Sequence, residues 1–399
     1  MKYYRCAECG RQPEGNELEN EAMFCPECGN LLEEVNPADR EASPAAPPGA
    51  EQQLRFHFSG SAGEYFRIWI VNTFLTIITL GVYLAWAKVR TRKYFYANTA
   101  LAGHRFDYVA NPLAIFKGYC IVGTCSLIYA AVQHYNPLYS LPAMLLFFMV
   151  FPFLIYKSLC FKAHNSAYRN IRFRFSGNLW DSYKTYMFLP IFIPFTLGIL
   201  FPYVSYRQKK YFFNNFAFGK MQNSFAGTHG PFYSTYFRAA LSFVLFIILS
   251  SGLIAGLVYL FSPQLPGNSA APAGSPAWAP MALAANVLVF FGVLFIHQYV
   301  FAALTNYCWQ KSSMGRIRFS STLRTFELIA LLVTNFLAII FSFGLLAPWA
   351  KIRKTRYLLD HLTILAEEGA LEGCEPSVTS PVAALGDVST DFFDIDIGL

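Results

Sequence analysis

Cys6, Cys9, Cys25 and Cys28 stand as CxxC, fifteen intervening residues and a second CxxC. Two close thiol pairs at that spacing suit a tetrahedral Zn2+ site. All four positions are cysteine, so the expected metal is structural, because a catalytic zinc keeps one coordination position open. Gly29, directly after the second pair in FCPECGNLL, frees the backbone to turn its amides toward sulfur. Two disulfides are the competing reading. They are disfavoured because no secretory signal opens the chain, which leaves the thiols in a reducing compartment. Residues 1–35 can bury little core, and the metal would carry their fold. Cys120, Cys125, Cys160, Cys308 and Cys374 show no ligand spacing; the first four lie in or beside apolar runs and read as packing residues.

The other chemistry-bearing residues come in three copies. Taking Gly81, Gly198 and Gly344 as a common origin, Thr79, Thr196 and Ser342 fall two before it and Tyr94, Tyr211 and Tyr357 thirteen after. Glu64, Asp181 and Glu327 fall seventeen before it, and Asn72 and Asn335 nine before it in the first and third copies. A hydroxyl just ahead of such a Gly can cap a helix that restarts beyond it. Broken backbone at membrane depth survives only where protein covers it or a wet cavity reaches it. The three turns are therefore expected to face a common interior where Thr79, Gly81, Thr196, Gly198, Ser342, Gly344, Asn72 and Asn335 either line a polar solute site or only satisfy one another in a packed membrane core. Each copy then turns basic: Lys88, Arg90, Arg92 and Lys93; Arg207, Lys209 and Lys210; Lys351, Arg353, Lys354 and Arg356. Such runs beside apolar segments are expected to contact anionic lipid head groups. The seven histidines show no metal spacing. No nucleotide loop, nucleophile motif or acid–base carboxylate pair is present, so no reaction is read.

The elements that position these residues follow from composition. The 399 residues are 55% hydrophobic and only 14% charged, against about 25% in soluble domains. Residues 239–310 hold no Asp, Glu, Lys or Arg. Runs this long suit the bilayer, where a spanning helix needs roughly 20 apolar residues. Residues 54–363 carry 27 Lys and Arg against 5 acids, between an acidic first segment and an acidic tail. Nucleic acid is not expected, since the basic residues hug apolar runs. Residues 36–53 read as a flexible Pro/Ala linker, and the tail from 364 to 399 as a disordered, partner-binding peptide.

The repeated strings FHFSGSAGEYFRIWIVN and TLGVYLAWAKVRTRKYFYANTALAGHRFDY, with weaker echoes downstream, resemble the YjgN-like family of bacterial inner-membrane proteins of unknown function. The resemblance covers residues 54 to about 363 and implies a membrane location without an activity. The zinc knuckle stands outside it.

Seven apolar runs are countable: 68–87, 113–132, 138–156, 185–206, 239–261, 281–308 and 328–350. If all seven cross, basic clusters fall on both sides, against the positive-inside bias. If 68–87, 185–206 and 328–350 enter and leave by one face, the Lys and Arg share a side. The expected architecture is therefore an all-α, multi-pass membrane protein with four spanning helices, three re-entrant or broken segments and an N-terminal zinc ribbon. Its parts are 1–35, 36–53, membrane repeats at 54–170, 171–315 and 316–363, and the tail, with both termini cytoplasmic. Discontinuous helices mark solute sites in transporters, so the functional expectation is a transporter or channel-like protein for a small polar or anionic solute. The alternative is a scaffold or lipid-interacting protein whose zinc ribbon recruits a cytoplasmic partner.

Overall fold

The computed structural model describes residues 3–6, 32–35, 51–135, 140–261, 279–367 and 370. They belong to two compact units, 1–52 and 53–399. In the first, β1 (Tyr3–Cys6) runs antiparallel to β2 (Leu32–Val35), with Cys6 opposite Leu32.

In the second, short alternating strings form strands: β3 (Glu51–Phe58), β4 (Thr99–Leu101), β5 (His104–Tyr108), β6 (Ser166–Tyr168), β7 (Ile171–Phe175), β8 (Phe216–Phe218), β9 (Met221–Phe225), β10 (Ser312–Met314), β11 (Ile317–Ser321) and β12 (Leu362–Glu367). Each pairs with its neighbours in sequence, and β12 meets β3, so the ten strands close a barrel. The expectation of an all-α protein is thereby overturned. The alternation in LRFHF and IRFRF reflects barrel wall: Phe56, Phe106, Phe173 and Phe319 line the interior, while Arg55, Arg105, Arg172 and Arg318 are exposed. A wall studded outside with arginine does not face hydrocarbon. Strands of three to five residues carry too little periodicity to stand out beside helices five times longer.

The connections alternate strictly. Two-residue turns at 102–103, 169–170, 219–220 and 315–316 join strands at one barrel end. Ala102, Gly103, Arg169 and Asn170 all have positive φ, the conformation of the tight turns that match strand twist. Helical hairpins make the other five connections. Since neighbouring strands run antiparallel, all five leave from the opposite end.

Two hairpins are long: α3 (Pro112–Tyr135) with α4 (Ser140–Asn165), and α8 (Gly230–Phe261) with α9 (Ala279–Gln310). These four helices are long and apolar enough to cross a membrane. Three hairpins are short. The first is α1 (Ala62–Ile78) with α2 (Leu84–Ala97). The second is broken: α5 (Leu179–Tyr183), a π turn over Lys184–Phe188, α6 (Leu189–Ile191), a 3-10 turn over Pro194–Thr196, and α7 (Phe201–Asn215). Pro190 and Pro194 lack the N–H groups a continuous helix would need. The third is α10 (Thr325–Phe341) with α11 (Ala347–Asp360).

The short hairpins reverse at the repeated glycines. Leu80–Gly81, Leu197–Gly198 and Phe343–Gly344 are all left-handed pairs. Leu and Phe pay roughly 1–2 kcal/mol for that conformation. Leu80, Leu197 and Phe343 are 94%, 91% and 97% exposed, so the strain presents a large apolar side chain at each tip. At the other end, the hydroxyls of Tyr94, Tyr211 and Tyr357 bind backbone at Ser61, Asn178 and Arg324, tying the feet of each hairpin together. Burial raises all three phenols above their ordinary pKa.

Candidate functional site

The barrel encloses a cavity of about 340 Å3. Its floor, at the tight-turn end, is set by the residue just before each turn: Leu101, Tyr168, Phe218 and Met314, each 3–5% exposed. Tyr168 of β6 also donates its hydroxyl to the Leu101 carbonyl of β4, two strands away, at 2.8 Å. The wall is aromatic, with Phe56, Phe106, Phe173, Phe216 and Phe319 contributed by five strands. The roof comes from the five returning helices, whose last turns bring Tyr96, Lys162, Phe212, Trp309 and Leu359 to the cavity.

Those last turns end alike. Asn98 and Thr99, Asn165 and Ser166, Asn215, and Ser312 each donate a side-chain hydrogen bond to the carbonyl four residues earlier. This satisfies carbonyls a helix end would leave unpaired and passes the chain into the next strand. Polar groups at the cavity are few. Lys162 is the only lining residue with a formal charge, and Tyr96 shares a hydrogen bond with Ser166 at 2.9 Å. Asn223 also lines the cavity; it is 5% exposed, and its Oδ1 has no hydrogen-bond partner. Protein interiors rarely leave voids larger than a water molecule, whereas pockets for small molecules start near 300 Å3 and are mostly apolar. The chamber therefore has the size and chemistry of a site for one lipophilic molecule.

Residues picked out from sequence lie elsewhere. Thr79 accepts from the Tyr83 amide at 3.0 Å, Thr196 from Leu200 at 3.3 Å and Ser342 from Leu346 at 3.0 Å. Each hydroxyl thus starts the returning helix of its own hairpin, and none of them, nor Gly81, Gly198 or Gly344, lines the barrel cavity. Asn72 and Asn335 are buried between hairpin legs, where they donate to the carbonyls of Ala87 (3.3 Å) and Ala350 (3.2 Å).

The basic runs divide. Arg92 donates to the Tyr108 hydroxyl at 2.8 Å, Lys210 to Tyr206 at 3.3 Å and Arg356 to the Gly60 carbonyl at 3.2 Å. Lys351 sits over the Phe95 ring at 5.1 Å, and Arg353 bonds Thr334 and Asn335 while covering Trp349. Lys88 is also engaged. Arg90, Lys93 and Lys354 are exposed, and Arg207 and Lys209 are half-buried. Of the ribbon cysteines, Cys6 ends β1, whereas Cys9, Cys25 and Cys28 lie outside the described residues. Among the described residues, no three His, Cys, Asp or Glu cluster as metal ligands.

Residues 53–392 match the family described as "Bacterial protein of unknown function (DUF898)". The chain belongs to this family. Among curated relatives, "Inner membrane protein YjgN" of Salmonella typhimurium strain LT2 is 24% identical over 79% of this chain and 89% of its own length. Proteins of the same name from Escherichia coli K12 and O157:H7 are 33% and 32% identical, each over 37% of both chains. The chain thus spans little more than a third of these two relatives at that identity. No solved structure matches.

The DUF898 region contains more copies of the motif than three. Strand and corner recur as RFHFSG, RFDYVA, RFRFSG and NSFAG, and the tight turns as TALAGHRF, SAYRNIRF, FAFGKMQN and SSMGRIRF. The long hairpins therefore spring from the same strand–corner unit as the short ones. That shared unit is the signal from which the barrel and its lining could have been found.

Proposed function

We propose that this protein is an inner-membrane lipid-handling protein whose barrel holds the apolar part of a lipid or similar lipophile. The observation that carries this reading is the roofed aromatic cavity, floored at one end and facing the helical hairpins at the other. The naming of the relatives as inner membrane proteins and the four long apolar helices support the location. On this reading the exposed tips Leu80, Leu197 and Phe343 dip into the near leaflet, and the positive-inside bias puts barrel and termini in the cytoplasm. Arg90, Lys93 and Lys354 are free to meet anionic head groups there.

A polar solute fits the chamber poorly, because its walls offer almost nothing to replace a hydration shell. Four thiols form the donor set of a structural zinc site. β1 carries Cys6, and β2 begins four residues after Cys28. We retain a Zn2+ ribbon there as a platform for a cytoplasmic partner, with the acidic tail as a second such element.

The test is solvent extraction of the detergent-purified protein followed by mass spectrometry. The expected result is a lipophile bound near one per chain and lost in Leu359→Trp or Leu362→Trp, which fill the chamber. Equal lipid content in a folded variant and the wild type overturns the proposal.

A further inference from the structure

Arg238 is the only Asp, Glu, Lys or Arg in α8 and α9. It is the ninth residue of α8, about 12 Å along the axis from the helix start at 1.5 Å per residue. That places it inside the apolar span Gly230–Ile254. A guanidinium this close to the end of an apolar span snorkels to head-group level, where an anionic partner is favourable. Among the described residues Arg238 has neither a hydrogen bond nor an ion pair, and it is exposed.

Arg238 borders a groove of about 770 Å3 between α8, α9 and the start of α10. Tyr299 of α9 is on the same groove, and its hydroxyl has no partner among the described residues either. Arg324 and Glu327 stand at the α10 side, paired at 3.0 Å, so they neutralise each other and leave Arg238 as the uncompensated charge. Phe295 and Phe326 meet edge to face at 5.7 Å along the groove, and Phe326 is 77% exposed. The groove thus joins an unpaired cation and a phenol to an aromatic slope, at the end of the span nearest the barrel. None of these residues lines the barrel cavity.

We infer that this groove binds one anionic glycerophospholipid, its phosphodiester held by Arg238 and Tyr299 and its acyl chain laid against Phe295 and Phe326. The charge is complementary, and guanidinium–phosphate pairs form short, charge-assisted hydrogen bonds. The inference rests on the helices being in a bilayer, not on the barrel chamber being filled.

Full-length protein in nanodiscs of mixed phosphatidylglycerol and phosphatidylcholine, released into native mass spectrometry, reads the site. The wild type should retain phosphatidylglycerol over phosphatidylcholine by about tenfold, because the choline ammonium cancels the phosphodiester charge and is repelled by Arg238, whereas glycerol leaves that charge uncompensated. Arg238→Gln should abolish the preference, Arg238→Lys should keep part of it, and Tyr299→Phe should weaken it with an unchanged melting temperature. Leu362→Trp, which fills the barrel, should leave the preference intact. Equal retention of both lipids by the wild type, an undiminished preference in Arg238→Gln, or its loss in Leu362→Trp overturns the assignment. Displacement by millimolar inorganic phosphate also overturns it, by assigning the groove to free anions.

Discussion

The second and third short hairpins leave the barrel through corners at the same distance from their tips, yet the corners are packed in opposite senses. At the second, Phe175 folds over Gly177, where a Cβ would lie 2.5 Å from the ring. At the third, the corresponding residues are Ser321 and Leu323, both buried. Ring plus hydrogen has become hydroxyl plus isobutyl. The volume is supplied from the other side of the turn, and the corner keeps its course. Phe58 with Gly60 and Phe225 with Gly227 repeat the first solution. What the fold requires at a corner is a filled wedge, whichever residue fills it.

The same pair of hairpins differs between the legs. In the third, Asn335 bridges them by donating to Ala350 and accepting from Arg353. In the second, Leu189 occupies that place, and Ser182 instead donates to the Pro152 carbonyl of α4 at 2.8 Å. One hairpin is locked internally and the other against its neighbour. The first hairpin is intermediate, since Asn72 donates as Asn335 does, but its buried Oδ1 is unpartnered.

The largest effect should come from forcing one corner into the other's chemistry. Gly177→Leu is expected to cost about 3 kcal/mol in denaturant unfolding. Adding Phe175→Ser should recover part of it, a coupling of roughly 0.5–3 kcal/mol. Additive losses would mean that the two corners are unrelated solutions. Next, Asn335→Leu should cost about 2 kcal/mol, because it leaves the Ala350 carbonyl and an Arg353 donor short of partners. Asn72→Leu should cost less, about 1 kcal/mol, since it also removes an oxygen that already lacks a partner. The reverse ranking would refute the internal lock. Tyr94→Phe, Tyr211→Phe and Tyr357→Phe should each cost about 1 kcal/mol by the same measurement. Smallest is the tip: Leu80→Gly should stabilise the detergent-solubilised protein by up to ~1 kcal/mol through relief of left-handed strain, while weakening photolabelling of the first hairpin by lipid-borne probes.

Much of the helical part was legible. Length and scarcity of charge marked the four long helices, and the common origin at Gly81, Gly198 and Gly344 located the turns and the hydroxyls that cap them. The barrel was not, because its pairings are remote: Tyr108 meets Ser166 across two long helices, and β12 meets β3 across almost the whole unit. The cavity was hidden for the same reason, with one or two lining residues from each of many elements and no local signature. The basic runs were legible as charge but not as contacts. Arg356 reaches Gly60 over 296 positions of sequence, and only the folded ring puts them together.

That ring has a temporal consequence. Synthesis proceeds from the amino end, and β3, among the first barrel strands to emerge, waits for β12, the last. Until then the nascent sheet carries two open edges, and unpaired edges recruit foreign strands. On the membrane reading proposed above, the two long hairpins are meanwhile delivered to the bilayer one after the other. The closing seam is thus the step at which an incomplete or mistranslated chain stays adhesive, and the place where quality control would recognise it.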